Sequence, residues 1–320
     1  MSTENSSGMT LQQVYKCGER LLKEAGIADA DFDSLCLLEH FFGIDRTALI
    51  LHGDKVAEKT QCTKFFNAID ERKTGKPLQY IVGTWNFMGY DFYVGEGVLI
   101  PRDDTEIVVE EGIKFLRKIK SPKIIDLCSG SGAIAISIAK MIPDSEVIAL
   151  EYSENAIKYL ERNIKINNAN NVTVYQGDVT KCSEQFEDES FDLVISNPPY
   201  IQSDEIDTLQ VELQFEPRMA LDGGKDGLYF YRIITEKWSS KVKSGGMLAY
   251  EVGEEQYEPV SNMLLLQGFE QITYAIDLQG YKRTVCGQRG QCPQNTTPLA
   301  GNARRIQPLC QFSAKTDISP

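Results

Sequence analysis

Short apolar runs of the strand type alternate with helical patterns from residue 101 to residue 289. Alternating strands and helices form βαβ units, in which a mostly parallel sheet is covered by helices on both faces. The sequence therefore predicts an α/β fold. Two further runs that resemble strands close the segment, and an antiparallel arrangement at a sheet edge is open to them. The predicted strands are 123–127, 146–150, 172–177, 191–197 and 246–253, followed by the edge candidates 269–277 and 281–289.

The segments on either side of this α/β domain (101–289) have a different character. Residues 1–75 contain helical stripes that stop at glycines, which predicts a small N-terminal helical domain. In 76–100, glycines punctuate short aromatic and β-branched runs, so we predict a linker of one or two β-hairpins. Residues 290–320 are proline-rich and lack periodicity, and they are predicted to form a disordered tail.

Charge and residue counts exclude several classes of function. The formal net charge is -13, whereas affinity for nucleic acid comes largely from Lys and Arg, so no direct nucleic-acid binding is expected. Eight cysteines without a CxxC pair and only two histidines predict free thiols and no metal site. No apolar run approaches the roughly 18 residues of a membrane span, and the first residues lack a signal pattern. We therefore expect a cytoplasmic protein with no membrane association.

A glycine loop lies directly between the first predicted strand and the following helix. Its sequence, DLCSGSGA over 126–133, lets the backbone turn sharply and brings helix N–H groups to a ligand. Glu151 ends the second strand, where an acidic residue can hold a ribose diol. We interpret this as a nucleoside site, although a tight turn alone would use the same glycines. Because the third glycine of a dinucleotide fingerprint is replaced by Ile134–Ala135, S-adenosylmethionine fits better than a dinucleotide.

Two other residues near this loop carry weaker signals. Asp178 closes the third strand and is placed to accept a hydrogen bond from an adenine amino group, although a turn aspartate fits the sequence almost as well. Cys128 has no His or Lys beside it in the sequence, so we interpret it as a small packed residue rather than a nucleophile.

The most specific motif is NPPY, which ends the fourth strand. Prolines cannot donate backbone hydrogen bonds and they stiffen the chain. The Asn197 amide oxygen and the Pro198 carbonyl are therefore predicted to be fixed acceptors, with the ring of Tyr200 as a flat face. Two acceptors and a ring suit a planar –NH2 group. A rigid turn is the plainer alternative.

Together with these motifs, two flanking segments resemble the PrmC/HemK protein-glutamine N5-methyltransferases. They are IPRDDTE at 100–106 and ALDGGKDGL at 220–228, and the resemblance extends from about residue 10 to Arg289. Many relatives have Pro at the position of Asp103 and Asp at that of Glu151, and neither change removes the chemical role. NPPY also occurs in methyltransferases that act on adenine or guanine in nucleic acid. That activity, and a non-catalytic S-adenosylmethionine-binding protein, stay as alternatives.

The resemblance implies a Rossmann-like class I methyltransferase domain, with the helical domain helping to dock a peptide chain release factor. The substrate would be the glutamine of its Gly-Gly-Gln loop, and a monomer is expected. The residues implied in S-adenosylmethionine binding are Asp126, Cys128, Ser129, Gly130, Ser131, Gly132, Glu151, Asp178, Val179 and Asn197. The residues implied in catalysis are Asn197, Pro198, Pro199 and Tyr200. We expect them to orient the amide nitrogen for methyl transfer without a protein base.

Overall fold

The computed structural model describes residues 8–290. Its N-terminal part is helical, as the sequence predicts. α1 begins with a capping box in which Thr10 and Gln13 exchange hydrogen bonds, and α2 ends at Gly43 in the left-handed conformation. The buried faces of these helices form one apolar cluster around Phe65, Leu37 and their neighbours. The helices are α1 (Leu11–Glu24), α2 (Ala30–Phe42), α3 (Arg46–His52) and α4 (Lys59–Arg72).

The segment expected to consist of hairpins contains a helix before its single hairpin. α5 (Leu78–Val82) begins after Pro77 and ends at Gly83, whose φ is 78°. Proline before the first turn and a left-handed glycine after the last are helix boundaries, and their effect outweighs the β-like composition between them. The hairpin pairs β1 (Thr84–Phe87) with β2 (Tyr90–Tyr93).

A seven-stranded sheet forms the centre of the remaining chain. Its order is β5-β4-β3-β6-β7-β9-β8, in which the first five strands are parallel and the last two pairings are antiparallel. The predicted strands are therefore present, and the two final runs form the antiparallel edge. The strands are β3 (Lys123–Leu127), β4 (Glu146–Glu151), β5 (Val172–Gln176), β6 (Phe191–Ser196), β7 (Val242–Glu251), β8 (Phe269–Thr273) and β9 (Thr284–Arg289).

Helices cover both faces of this sheet. Successive buried side chains along a strand lie on opposite faces, so each face needs its own helices to cover it. On β3, Ile124 belongs to one apolar cluster with three of the helices, whereas Ile125 belongs to a second cluster with the other two. The first three helices are α6 (Asp103–Leu116), α7 (Ala133–Met141) and α8 (Glu154–Ile166), and the other two are α9 (Tyr229–Trp238) and α10 (Tyr257–Leu266). Within residues 8–290, no helix is long and apolar enough to cross a membrane.

The order of the strands creates a crevice at the carboxyl ends of the central strands. β4 and β5 follow β3 on one side, and β6 and β7 lie on its other side. The last paired residues of β3 and β6 are Leu127 and Ser196, so the two following loops start next to each other. Ligands bind open α/β sheets at such a reversal point, beyond the carboxyl ends of the strands.

A buried ion pair connects the N-terminal helices with the long segment between β6 and α9. Arg72 on α4 donates to Asp33 on α2 at 2.7 Å and to Glu212 at 2.8 Å. Glu212 lies in a 3-10 turn, Val211–Phe215. The helical part is thus attached to the segment that follows the NPPY corner.

Candidate active site

The loop after β3 is shaped by three residues with positive φ. Cys128, Gly130 and Gly132 have φ values of 63°, 55° and 85°. At the φ of Gly132 a residue with a Cβ would be strained, and that Cβ would lie 2.3 Å from Leu160 Cδ1, so both effects favour glycine there. Behind the loop, Asp126 is fully buried and accepts hydrogen bonds from the Ser129 hydroxyl and the Ala135 N–H. Burial raises the pKa of the Asp126 carboxyl to about 7.

Asn163 on α8 fixes the outer side of the same loop. Its amide Nδ2 donates to the Ser131 carbonyl at 2.9 Å, and its Oδ1 accepts from the Tyr93 N–H at 2.6 Å. The hairpin is therefore tied to the glycine loop through one buried side chain.

Glu151 is held by three backbone N–H groups. Oε2 accepts from Gly130 at 2.7 Å, while Oε1 accepts from Tyr152 at 2.9 Å and from Ser153 at 2.7 Å. A carboxylate oxygen can accept two hydrogen bonds. Oε2 therefore keeps one acceptor position, which suits a hydroxyl donor such as a ribose diol.

Asp178 makes the bonds of a turn aspartate and also lines the crevice. Its Oδ1 accepts from the Thr180 N–H at 2.9 Å and from the Thr180 hydroxyl, and its Oδ2 pairs with Lys181 at 2.8 Å. Both interpretations of this residue from the sequence are therefore compatible with its position.

A cavity of about 500 Å³ fills the crevice, which is within the range of small-molecule sites. Most of the expected binding residues line it, but Asp126 and Gly132 do not, since they support the loop from behind. The residues from the predicted set that line it are Cys128, Ser129, Gly130, Ser131, Glu151, Asp178, Val179, Asn197 and Pro199. Carboxylates, backbone amides and apolar walls together fit an adenosyl cosubstrate. Burial raises the pKa of the Cys128 thiol, which is consistent with a packed residue rather than a nucleophile.

A second cavity, of about 490 Å³, lies on the other side of the NPPY corner. Pro198 and Tyr200 line this cavity, and Asn197 lines both. Its wall also includes Gln79 and Trp85, from α5 and β1. The corner thus faces the crevice and separates two spaces that meet at Asn197.

A chain of polar side chains supports Asn197 from α6 and β7. Asn197 Nδ2 donates to the Thr105 hydroxyl at 3.1 Å, and Thr105 donates to Glu251 Oε2 at 2.5 Å. The Tyr200 hydroxyl donates to Glu251 Oε1 at 3.4 Å. Burial raises the pKa of the Glu251 carboxyl to about 7 and moves the pKa of Tyr200 upward.

Arg102 and Glu216 fix the wall that the two cavities share. Arg102 lines both cavities and pairs with the buried carboxylate of Glu216. Glu216 also accepts from the Ile100 N–H at 2.9 Å. Sequence reasoning assigned no role to Arg102, Thr105, Glu216 or Glu251. The IPRDDTE segment, which carries Arg102 and Thr105, was the signal in the sequence that could have indicated those two residues.

Comparison with known proteins identifies the family. The PrmC N-terminal domain family matches residues 13–83, and a methyltransferase domain family matches residues 119–233. The chain is 37% identical over 289 residues to the release factor glutamine methyltransferase of Geobacter sulfurreducens, covering 90% of this chain and 100% of that protein. Identity to the release factor glutamine methyltransferase of Clostridium acetobutylicum is 40% over 260 residues, covering 81% and 91% of the two chains.

Among solved structures, the hMettl16 catalytic domain in complex with an RNA hairpin matches with a TM-score of 0.51 and 14% identity. The match covers 74% of this chain and 84% of that one, and it shows a shared fold. The identities to the two bacterial proteins extend over nearly their whole lengths. This chain therefore belongs to the release factor glutamine methyltransferase family, in which S-adenosylmethionine is the methyl donor.

Proposed function

We propose that this protein methylates the side-chain nitrogen (N5) of the glutamine in the Gly-Gly-Gln loop of a peptide chain release factor. The observation that carries the proposal is the position of Asn197, which lines both the cavity beside the glycine loop and the cavity beside Tyr200. One space suits the methyl donor, and the other suits the glutamine side chain.

The first cavity holds the donor through groups of matched chemistry. The free acceptor position on Glu151 binds a ribose hydroxyl, Asp178 binds the adenine amino group, and the loop from Cys128 to Gly132 surrounds the amino-acid part, with Val179 contributing an apolar contact. Asp126 supports that loop. Bound there, S-adenosylmethionine supplies an electrophilic methyl group on a sulfonium. The residues in these roles are those proposed from the sequence.

Catalysis is a matter of orientation and electrostatics. An amide nitrogen is a poor nucleophile because its lone pair is delocalised into the carbonyl group. The Asn197 Oδ1 and the Pro198 carbonyl accept the two N–H hydrogens of the substrate amide, Pro199 stiffens the corner, and the Tyr200 ring limits the tilt of the amide plane. No histidine takes part, since both lie on α2 and α3.

The N-terminal helices dock the release factor. In this scheme residues 1–75 form the docking domain, 76–100 the linker and 101–289 the methyltransferase domain. The tail expected at 290–320 lies outside the described residues, except for Gly290. Two observations support the docking role. The helices expose large apolar side chains at Phe32, Ile50 and Leu51, and the linker that follows them lines the second cavity with Gln79 and Trp85.

The protein works as a cytoplasmic monomer that does not bind nucleic acid directly. Its formal net charge of -13 opposes phosphate binding. Release factors act in translation, which places the reaction in the cytoplasm.

Mass spectrometry of a purified release factor tests the function. After incubation with the protein and S-adenosylmethionine, the Gly-Gly-Gln peptide should gain the mass of one methylene group on its glutamine. A release factor with that glutamine replaced by asparagine should gain nothing. Methyl transfer to RNA or DNA with no transfer to the release factor would refute the proposal, as would donor binding with no transfer to any of these.

A further inference from the structure

We propose that Thr105 and Glu251 are positioning residues, which fix the end of the Asn197 side-chain amide that faces the substrate. The inference rests on the proposed function and adds two residues to it. Neither belongs to the NPPY motif or to the glycine loop. They lie at the start of α6 and at the end of β7.

The direction of each hydrogen bond follows from which atoms can donate. Burial raises the pKa of the Glu251 carboxyl to about 7, so above that pH it is mostly ionised and only accepts hydrogen bonds. In this form the Glu251 Oε2 takes the single hydroxyl hydrogen of Thr105 over 2.5 Å. The Thr105 oxygen then has no hydrogen left to donate, and it can only accept from Asn197.

The second step concerns the two ends of the Asn197 amide, which are nearly equal in size but opposite in polarity. Because Thr105 must accept, the NH2 end of Asn197 turns toward it, at 3.1 Å. The other end of the amide, Oδ1, remains available to the substrate, because within residues 8–290 no side chain or backbone group donates to it. An amide turned the other way would present NH2 to a substrate NH2, where two donors would meet.

The support is well suited to this role because it is buried and comes from separate strands and helices. Thr105 is 4% exposed and Glu251 is 2% exposed. The Thr105 N–H also donates to the Arg102 carbonyl at 3.0 Å, and Tyr200 donates to the second oxygen of Glu251. In a buried site an alternative amide orientation leaves a donor or an acceptor unpaired, which is costly.

Enzyme kinetics provide the first test. Thr105→Val keeps the shape but removes the hydroxyl, and kcat on a release factor should fall about tenfold or more, with the affinity for S-adenosylmethionine nearly unchanged. Thr105→Ser restores the hydroxyl and should recover most of kcat. Thr235→Val is the matched control, because Thr235 is 2% exposed and its hydroxyl bonds to Tyr250 outside both cavities. Native kcat in Thr105→Val, or equal losses in the Val and Ser variants, would overturn the inference.

Side-chain NMR provides a readout that does not require activity. The Nδ2 hydrogens of Asn197, assigned by their absence in Asn197→Ala, should exchange slowly in the wild type and faster in both Thr105→Val and Glu251→Gln, while Thr235→Val leaves them unchanged. Unchanged exchange in Thr105→Val would refute the positioning role. A wild-type protein that shows these exchange rates but methylates no release factor would instead refute the proposed function.

Discussion

The carboxylate of Glu151 at the end of β4 accepts a hydrogen bond from the Gly130 N–H, 2.7 Å away in the loop after β3. The residue expected to bind the cosubstrate also fixes the loop that surrounds it. Tyr152 and Ser153 donate to its other oxygen, so the carboxylate is oriented before any ligand arrives. Such preorganisation lowers the entropic cost of binding.

Replacing Glu151 by Gln should therefore weaken S-adenosylmethionine binding. The NH2 group of Gln cannot accept a hydrogen bond. Whichever way the amide turns, the side chain therefore loses either the bond from Gly130 or the two bonds from Tyr152 and Ser153. We expect Kd, measured by calorimetry, to rise by about tenfold or more. Glu146→Gln, at the exposed start of β4, is the control and should bind normally. Unchanged affinity in Glu151→Gln would show that the carboxylate does not hold the donor.

Asn197→Ala should impair turnover far more than donor binding. Removal of one preorganised polar contact to the reacting group typically costs about 10²-fold in kcat. Asn171→Ala is the matched control, since its amide donates to the Ala139 and Ser145 carbonyls at 3.1 Å and lies away from both cavities. That variant should lose stability and keep kcat. Near-native turnover of Asn197→Ala on a release factor would contradict the assigned role.

The buried carboxyl of Glu251 should make stability depend on pH. Burial, and to a lesser degree Asp104, raise its pKa from 4.5 to about 7, against the opposing effects of Thr105, Arg283 and Tyr200. Between these values the folded chain keeps a proton that the unfolded chain has lost, so the free energy of unfolding falls as pH rises.

Glu251→Gln should remove part of that dependence. Urea titrations at several values between about pH 4.5 and about pH 7.5 give the free energy of unfolding. Over this range the free energy of unfolding of the wild type should fall by up to roughly 3 kcal/mol more than that of the variant. Asp126, with a pKa also raised to about 7, gives both proteins a remaining slope of the same sign. Glu258→Gln, at an exposed carboxylate, should follow the wild type. Parallel curves for the wild type and Glu251→Gln would refute this assignment.

Arg72→Met should destabilise the helical part, because it leaves the buried carboxylate of Asp33 without its cation. Loss of one partner of a buried ion pair costs about 3 kcal/mol or more. The exposed pair of Arg46 and Asp31 has an N–O distance of 3.0 Å, against 2.7 Å for Arg72 and Asp33, and Arg46→Met should cost less than about 1 kcal/mol. Adding Asp33→Leu to Arg72→Met should recover part of the loss in urea denaturation. Equal costs for the two arginine variants would contradict this explanation.

Local periodicity was sufficient to predict most of the secondary structure. The strands of the sheet and the helices that separate them match the alternation in the sequence within a few residues at most boundaries, since each pattern depends only on neighbours along the chain. α5 differs because its five residues have a β-like composition, and Leu78 and Tyr80 became buried in a short helix between Pro77 and Gly83. α3 was too short for a clear helical stripe.

The sequence by itself determined the glycine loop, the acidic end of β4 and the NPPY corner, because each is a short motif at a strand end. Only the tertiary structure decided which residues support Asn197 in that corner. Thr105 lies 92 residues before Asn197, and Glu251 lies 146 residues after Thr105. They meet because the sheet places β6 next to β7 and packs α6 against both. Hydrogen bonds between distant residues depend on strand order, and no local pattern in a single chain encodes that order.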